Sequence, residues 1–253
     1  MWCFHMFTNV KYKLFTFVNQ KKAMDYLQLA TQYLEPKLKG KYIHLDIILP
    51  ILESLNSDFE ITEIGKSVQE REIYQVKTGT GKTKILMWSQ MHGNESTTTK
   101  GLFDFFNFLQ SDNEIANRIK NEYTLLCIPM LNPDGAFLYT RENANKVDLN
   151  RDAFNATQPE MQVLHSIYKS FQPDYCYNLH DQRTIFGTEG FNLPATVSFL
   201  SPAFNEEREY NDVRLKAIHI INKMNNALHQ YIPNQVGRFD DSYNVNCTGD
   251  YFT

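Results

Sequence analysis

His92-Gly93-Asn94-Glu95 sets an imidazole and a carboxylate three residues apart directly after the apolar run 85–89, and His180 follows a second apolar run, 175–179. Two histidines and one carboxylate are the set that binds a catalytic zinc ion and leaves a fourth position for water. An HxxE pair alone recurs by chance, and a lone histidine after a strand is more often a packing residue. What makes a site is that two separate strands deliver these groups to one sheet edge, outside the carboxyl ends of the strands, where open α/β sheets carry their chemistry.

More polar groups gather on the neighbouring loops. Asn132-Pro133-Asp134-Gly135 ends the intervening strand, Arg141 follows, and Asp148-Leu149-Asn150-Arg151-Asp152 comes next. Guanidinium and amide groups so placed suit a hydrolase that binds a carboxylate and a developing oxyanion.

The positioning elements follow from periodicity. Three-to-four spacing predicts short helices over residues 23 to about 38 and 42 to about 55, with Gly40 between them. Alternation over 59–64 and 72–77 predicts a hairpin, and 85–89 a buried strand. Helices are expected over 99–109, with Ser96 and Thr97 as caps, and over 113–121; then come a strand at 123–129, a turn at Asn132-Pro133-Asp134-Gly135, a helix at 158–171 and a strand at 175–179. Residues 181 to about 203 form a long irregular excursion of the kind that usually serves function. A last amphipathic helix runs from about Asn205 to His229. Strands alternating with helices give an α/β fold: a mixed, mostly parallel sheet flanked by helices on both faces.

With 253 residues, 42% of them hydrophobic and 13% aromatic, the chain can bury one substantial core. Its formal charge of -4, with no run of one sign, offers no field for nucleic acid or anionic lipid. No stretch reaches the roughly 18 uninterrupted apolar residues of a membrane span. Phe4, Phe7, Phe15 and Phe17 would suit a signal core, but Lys11 and Lys13 interrupt it and no small-residue cleavage site follows, so a cytoplasmic location is expected. Residues 1–22 read as an N-terminal segment that a misplaced start codon would also produce, and 23–253 as the domain.

Other signals are set aside. Cys3, Cys127, Cys176 and Cys247 lie too far apart in sequence for thiolate zinc pairs, and Cys127 and Cys176, inside apolar runs, read as buried small hydrophobes. Thr78-Gly79-Thr80-Gly81-Lys82-Thr83 imitates the end of a phosphate-binding loop, but a strand follows it where a helix is required, so a hairpin turn is the reading. His5, His44, His165, His219 and His229 have no partner at ligand spacing. Three sequons, one of them Asn246-Cys247-Thr248, read as chance matches. Phe103, Phe105, Phe106 and Phe108 are placed in the core.

The strings MHGNE, NPDG, VDLNRD and NLHD, in that order over roughly residues 60–253, resemble the motifs of the zinc carboxypeptidase family of metallopeptidases. The resemblance implies one zinc ion on His92, Glu95 and His180. It implies that Asn150 and Arg151 grip the C-terminal carboxylate of a peptide or acyl amino acid substrate, and that Arg141, the one arginine between the NPDG turn and Arg151, polarises the scissile carbonyl. The family's general base is a glutamate on a late strand, and the sequence reaches Thr253 without such a strand. A domain incomplete at its C-terminus is therefore expected, able to assemble the metal site but slow or inactive; Glu189, Asp181 and Asp240 are the nearest acids, and none is expected to substitute. An N-acyl amino acid deacylase of the same fold and a non-catalytic zinc-dependent peptide-binding protein are the alternatives. Oligomeric state is not legible.

Overall fold

The computed structural model describes residues 26–182, 185–239 and 241–253. Its central sheet comprises Phe59–Lys66 (β1), Glu72–Thr78 (β2), Thr83–Ser89 (β3), Tyr123–Ile128 (β4) and Tyr175–Leu179 (β5), in the spatial order β1-β2-β4-β3-β5. The β1–β2 and β2–β4 pairs are antiparallel, and the β3–β4 and β3–β5 pairs are parallel, so β2 alone runs against the other four strands.

A strand that is apolar at successive positions needs a covering layer on each face. In β4, Leu125 and Cys127 enter one core with Ile48 and Leu52 of helix Leu45–Leu52 (α2) and Leu102, Phe103 and Phe106 of helix Thr97–Leu109 (α3). The alternate residues Leu126 and Ile128 enter a second core with Leu86 and Trp88 of β3 and Met161 and Leu164 of helix Pro159–Phe171 (α6). Each fully buried large side chain contributes about 1.5–3 kcal/mol. The sheet is thereby fixed between two layers, and the carboxyl ends of β3, β4 and β5 emerge on one edge.

Several local expectations are corrected. Residues 78–83 are not a hairpin turn, because β4 lies between β2 and β3; the loop crosses over the start of β4, with Thr80 N–H on the Lys120 carbonyl at 2.8 Å. Among the described residues the first helix is Tyr26–Gln32 (α1), ending at Gln32 rather than near residue 38, and Pro36 prevents its continuation. Asn132-Pro133-Asp134-Gly135 opens a short helix, Pro133–Leu138 (α5), because the Asn132 side chain accepts the Gly135 N–H at 2.8 Å and proline suits the first helical position. The long late helix, Asp212–Leu228 (α7), starts where Asn211 caps it rather than near Asn205. The excursion after β5 contains a short strand, Val197–Phe199 (β6), paired in parallel with Val236–Arg238 (β7). Cys127 is buried, but Cys176 is exposed on the outer strand β5. Helix Glu114–Glu122 (α4) and a last short helix, Thr248–Tyr251 (α8), complete the elements. The segment 1–22, with Cys3 and His5, and Asp240 lie outside the described residues.

Asp134 is wholly buried and binds the β1–β2 turn to α5. It accepts from Ser67 Oγ (2.9 Å), Gln69 N–H (2.9 Å) and Arg71 Nη1 (2.5 Å). Removing one partner of such a group leaves the others unpaired. Asp134→Ala is expected to lower the unfolding free energy by about 3 kcal/mol, read from a urea titration; an unchanged midpoint would show that this tie contributes nothing.

Candidate metal centre

Parallel pairing of β3 with β5 sets Ser89 opposite Leu179, so His92 and His180 leave adjacent strand ends. Between Ser89 and His92 the chain turns sharply. Gln90 takes a left-handed backbone (φ 49°) and its buried side chain holds the turn, donating Nε2 to the Ile43 carbonyl (2.8 Å) and the Gly93 carbonyl (2.9 Å) while Oε1 accepts from Thr99 Oγ1 (2.8 Å). A Cβ on Gly93 would lie 1.9 Å from the Gly135 carbonyl carbon, so only glycine lets this loop press against the start of α5. Glu95 N–H closes the turn on the His92 carbonyl at 3.0 Å.

Asp181 then joins the two loops. Its carboxylate accepts Thr97 N–H at 2.8 Å and Thr97 Oγ1–H at 2.9 Å, capping α3 from across the sheet edge, while its own N–H reaches Glu95 Oε2 at 3.2 Å. Ser96, expected as the cap, donates instead to the Lys41 carbonyl at 2.8 Å.

The three donors meet. His92, Glu95 and His180 each offer a ligand atom within 4.8 Å of the others, with His92 and Glu95 buried at 2% and 5% exposure. Glu95 Oε1 lies 3.0 Å from His92 Nδ1 and Oε2 lies 2.8 Å from His180 Nδ1. His92 Nε2 faces Asp148 Oδ1 at 3.1 Å. The Arg141 guanidinium sits against the same atoms, with Nε and Nη2 each 3.0 Å from Asp148 Oδ2 and Nη1 3.2 Å from His92 Nδ1 and 3.5 Å from Glu95 Oε1.

His92 Nδ1 therefore faces an acceptor, Glu95, and a donor, Arg141, and no protonation state of the ring satisfies both. The second nitrogen of His180 is buried without a hydrogen-bond partner among the described residues, as are Nδ1 of His44 and Nε2 of His165, so the meeting of the three donors, and not this orphan atom, marks the site. An oxygen and nitrogen set of this composition fits a divalent zinc ion, and Asp148 holds His92 from behind as a carboxylate commonly does for a metal-bound imidazole.

The electrostatics follow from these contacts. Burial pulls the His92 imidazole down, but the hydrogen bonds to Asp148 and Glu95 outweigh it and hold the ring above its ordinary value. Burial raises Glu95 and Asp148; the contacts of Glu95 with His180 and His92, and of Asp148 with His92 and Arg141, hold both well below the usual carboxylate range. Burial dominates at Asp181 and raises it.

Of the residues singled out in the sequence, His92, Glu95, His180 and Arg141 form one contact cluster. Asn150 adjoins it through its main-chain N–H, which donates to Asp148 Oδ1 at 2.9 Å, and Arg151 lies next along the same 3₁₀ turn, Leu149–Arg151, with its guanidinium exposed. Glu189 is exposed on the excursion. The sequence reading missed the parts played by Gln90, Asp148 and Asp181. Only Asp148 had a signal, its place two residues before Asn150.

The sequence profile of the zinc carboxypeptidase family matches residues 49–178, more than half of the chain. The chain belongs to the zinc carboxypeptidase family. His180 lies two residues beyond the matched segment and joins the set through geometry. Carboxypeptidase 2 of Trichophyton rubrum is 25% identical over 100 residues, covering 39% of this chain and 19% of that relative. In structure the chain is similar to a carboxypeptidase A from Helicoverpa armigera, with a TM-score of 0.65 at 18% identity over 89% of this chain and 67% of that one. It is also similar to a metallo-carboxypeptidase from Pseudomonas aeruginosa in complex with (2-guanidinoethylmercapto)succinic acid, with a TM-score of 0.60 at 20% identity over 81% of this chain and 54% of that one. The match thus spans only about a fifth of the length of that fungal relative. Among the described residues no helix is long and apolar enough to cross a membrane.

The shifted groups predict a stability window for protein stripped of metal. Contacts of the depressed Glu95 stabilise fully above the ordinary value of 4.5 and are lost as pH falls through its lowered value. Contacts of the raised His92 stabilise fully below 6.5 and are lost as pH rises through its elevated value. The stability difference between the parent and Glu95→Gln, about 2 kcal/mol, should therefore be greatest between the two ordinary values in urea titrations. A difference that keeps growing above the ordinary imidazole value would contradict the charged His92.

Proposed function

We propose that this chain is a zinc-dependent metallocarboxypeptidase-type hydrolase, with one zinc ion on His92, Glu95 and His180. The observation that carries the reading is the meeting of those three donors from two separate strand ends. When bound, zinc supplies the Lewis acidity that activates water and the scissile carbonyl.

The residues of the chain take the remaining parts. Asp148 fixes the orientation of His92, and the Arg141 guanidinium, already against the cluster, neutralises charge that develops on the carbonyl oxygen. Asn150 and Arg151 grip the terminal carboxylate of a peptide or acyl amino acid, a reading supported by the exposed guanidinium on the adjoining turn and by the dicarboxylic ligand of the Pseudomonas relative. A proton acceptor for the attacking water is still required. Among the described residues, the carboxylates that touch the cluster are already engaged: Glu95 with the histidines, Asp148 with His92 and Arg141, Asp181 with Thr97. We therefore expect this chain to bind metal and substrate but to turn over slowly. A zinc-dependent peptide-binding protein is the second reading, favoured if metal and peptide bind but the full-length protein never turns over.

Metal analysis and chelator competition test the site. One zinc per chain is expected, Asp148→Ala should weaken it about 10–100-fold, and His180→Ala should weaken it further; failure of the parent to bind zinc would sink the reading. On an N-acyl dipeptide, turnover should fall about 10²–10⁴-fold below that of a zinc carboxypeptidase with a working base. Comparable turnover would assign the base to a residue within this chain.

A further inference from the structure

Asn246-Cys247-Thr248, set aside in the sequence as a chance sequon, lies along the turn that carries Asn150 and Arg151. Three consecutive residues meet it. The Asn246 carbonyl accepts from Ala153 N–H at 3.1 Å, Cys247 Sγ accepts from Arg151 Nη1 at 2.9 Å, and Thr248 N–H donates to Asn150 Oδ1 at 3.0 Å. Thr248 is wholly buried, its hydroxyl 3.9 Å from the sulfur of Met91, the residue before His92. The segment is anchored beyond this point by Phe252, which stacks on Tyr168 at 4.1 Å and meets Trp88 edge-on at 6.1 Å.

A primary amide has one acceptor and two donors on opposite sides, and rotation by half a turn exchanges them. A main-chain N–H is only a donor, so Thr248 can take only the oxygen of Asn150. That choice directs Nδ2, which donates to no described protein acceptor, to the other side. A carboxylate only accepts, so only the Nδ2 side can serve it.

We infer that Thr248 is a positioning residue: its main-chain N–H selects the Asn150 amide orientation that offers Nδ2 to a substrate carboxylate, and so gives the site its preference for free acids over amides. The inference rests on the reading of Asn150 and Arg151 as the carboxylate grip.

Thr248→Pro deletes this one donor. Position 248 is the first residue of α8, where proline is tolerated, and Cys247 already has the extended backbone (φ -74°, ψ 134°) that a residue before proline adopts. Thr248→Val keeps the N–H and removes only the hydroxyl. Affinities of the full zinc-loaded chain for an N-benzoyl dipeptide and for its C-terminal amide are measured by calorimetry. The parent and Thr248→Val should prefer the acid, and Thr248→Pro should lose about tenfold in affinity for the acid alone. If melting shows the proline variant unfolded, the α-hydroxy analogue of threonine installed at 248 removes the same N–H without a ring, and the same loss is expected. Retained acid preference in whichever folded variant lacks the N–H overturns the inference. A parent without acid preference overturns the underlying assignment of Asn150 and Arg151 instead.

Discussion

The site depends on the parallel register that sets Ser89 of β3 opposite Leu179 of β5. A slip of one residue would turn every side chain of β5 to the other face and carry His180 away from Glu95. Such a slip is costly because Leu179, the last residue of β5, packs against the core under α2 and α3 and would be turned away from it. Geometry at the edge is thus inherited from burial in the interior.

Charge then decides what the edge can hold. Glu95, Asp148, Arg141 and two imidazoles crowd a mostly buried space, and each carboxylate is kept ionised by the rings and guanidinium around it. Protons alone cannot satisfy the His92 ring, which faces an acceptor and a donor at one nitrogen. A divalent cation among the three donors would take the Nδ1 lone pair and the Glu95 oxygen together, which no proton can do.

The candidate site could be picked out in the sequence because two separate apolar runs each end in ligand-type residues: His92 and Glu95 share one turn, and His180 directly follows the second run. The layered fold was legible from periodicity. What escaped were contacts between residues distant in sequence. Asp181 caps a helix 84 residues earlier, and Thr248 bonds a side chain 98 residues earlier. The insertion of β4 between β2 and β3 is likewise a choice of neighbour that no local pattern encodes, and it turned an expected hairpin into a crossover. Helix ends were misjudged where a capping side chain, as at Asn211, overruled the apolar rhythm.

The Asp181 cap has a mechanical meaning. Because both of its oxygens hold the first residue of α3, the end of β5 and that thirteen-residue helix move as one body, and the helix is embedded through Phe103 and Phe106. A ligand pressing on His180 is resisted by the stiffness of the whole interior. The excursion beyond Asp181 is tied separately, through the β6–β7 pairing and Ala203 N–H on Asp250 Oδ1 at 3.0 Å, so its position follows the C-terminal stretch.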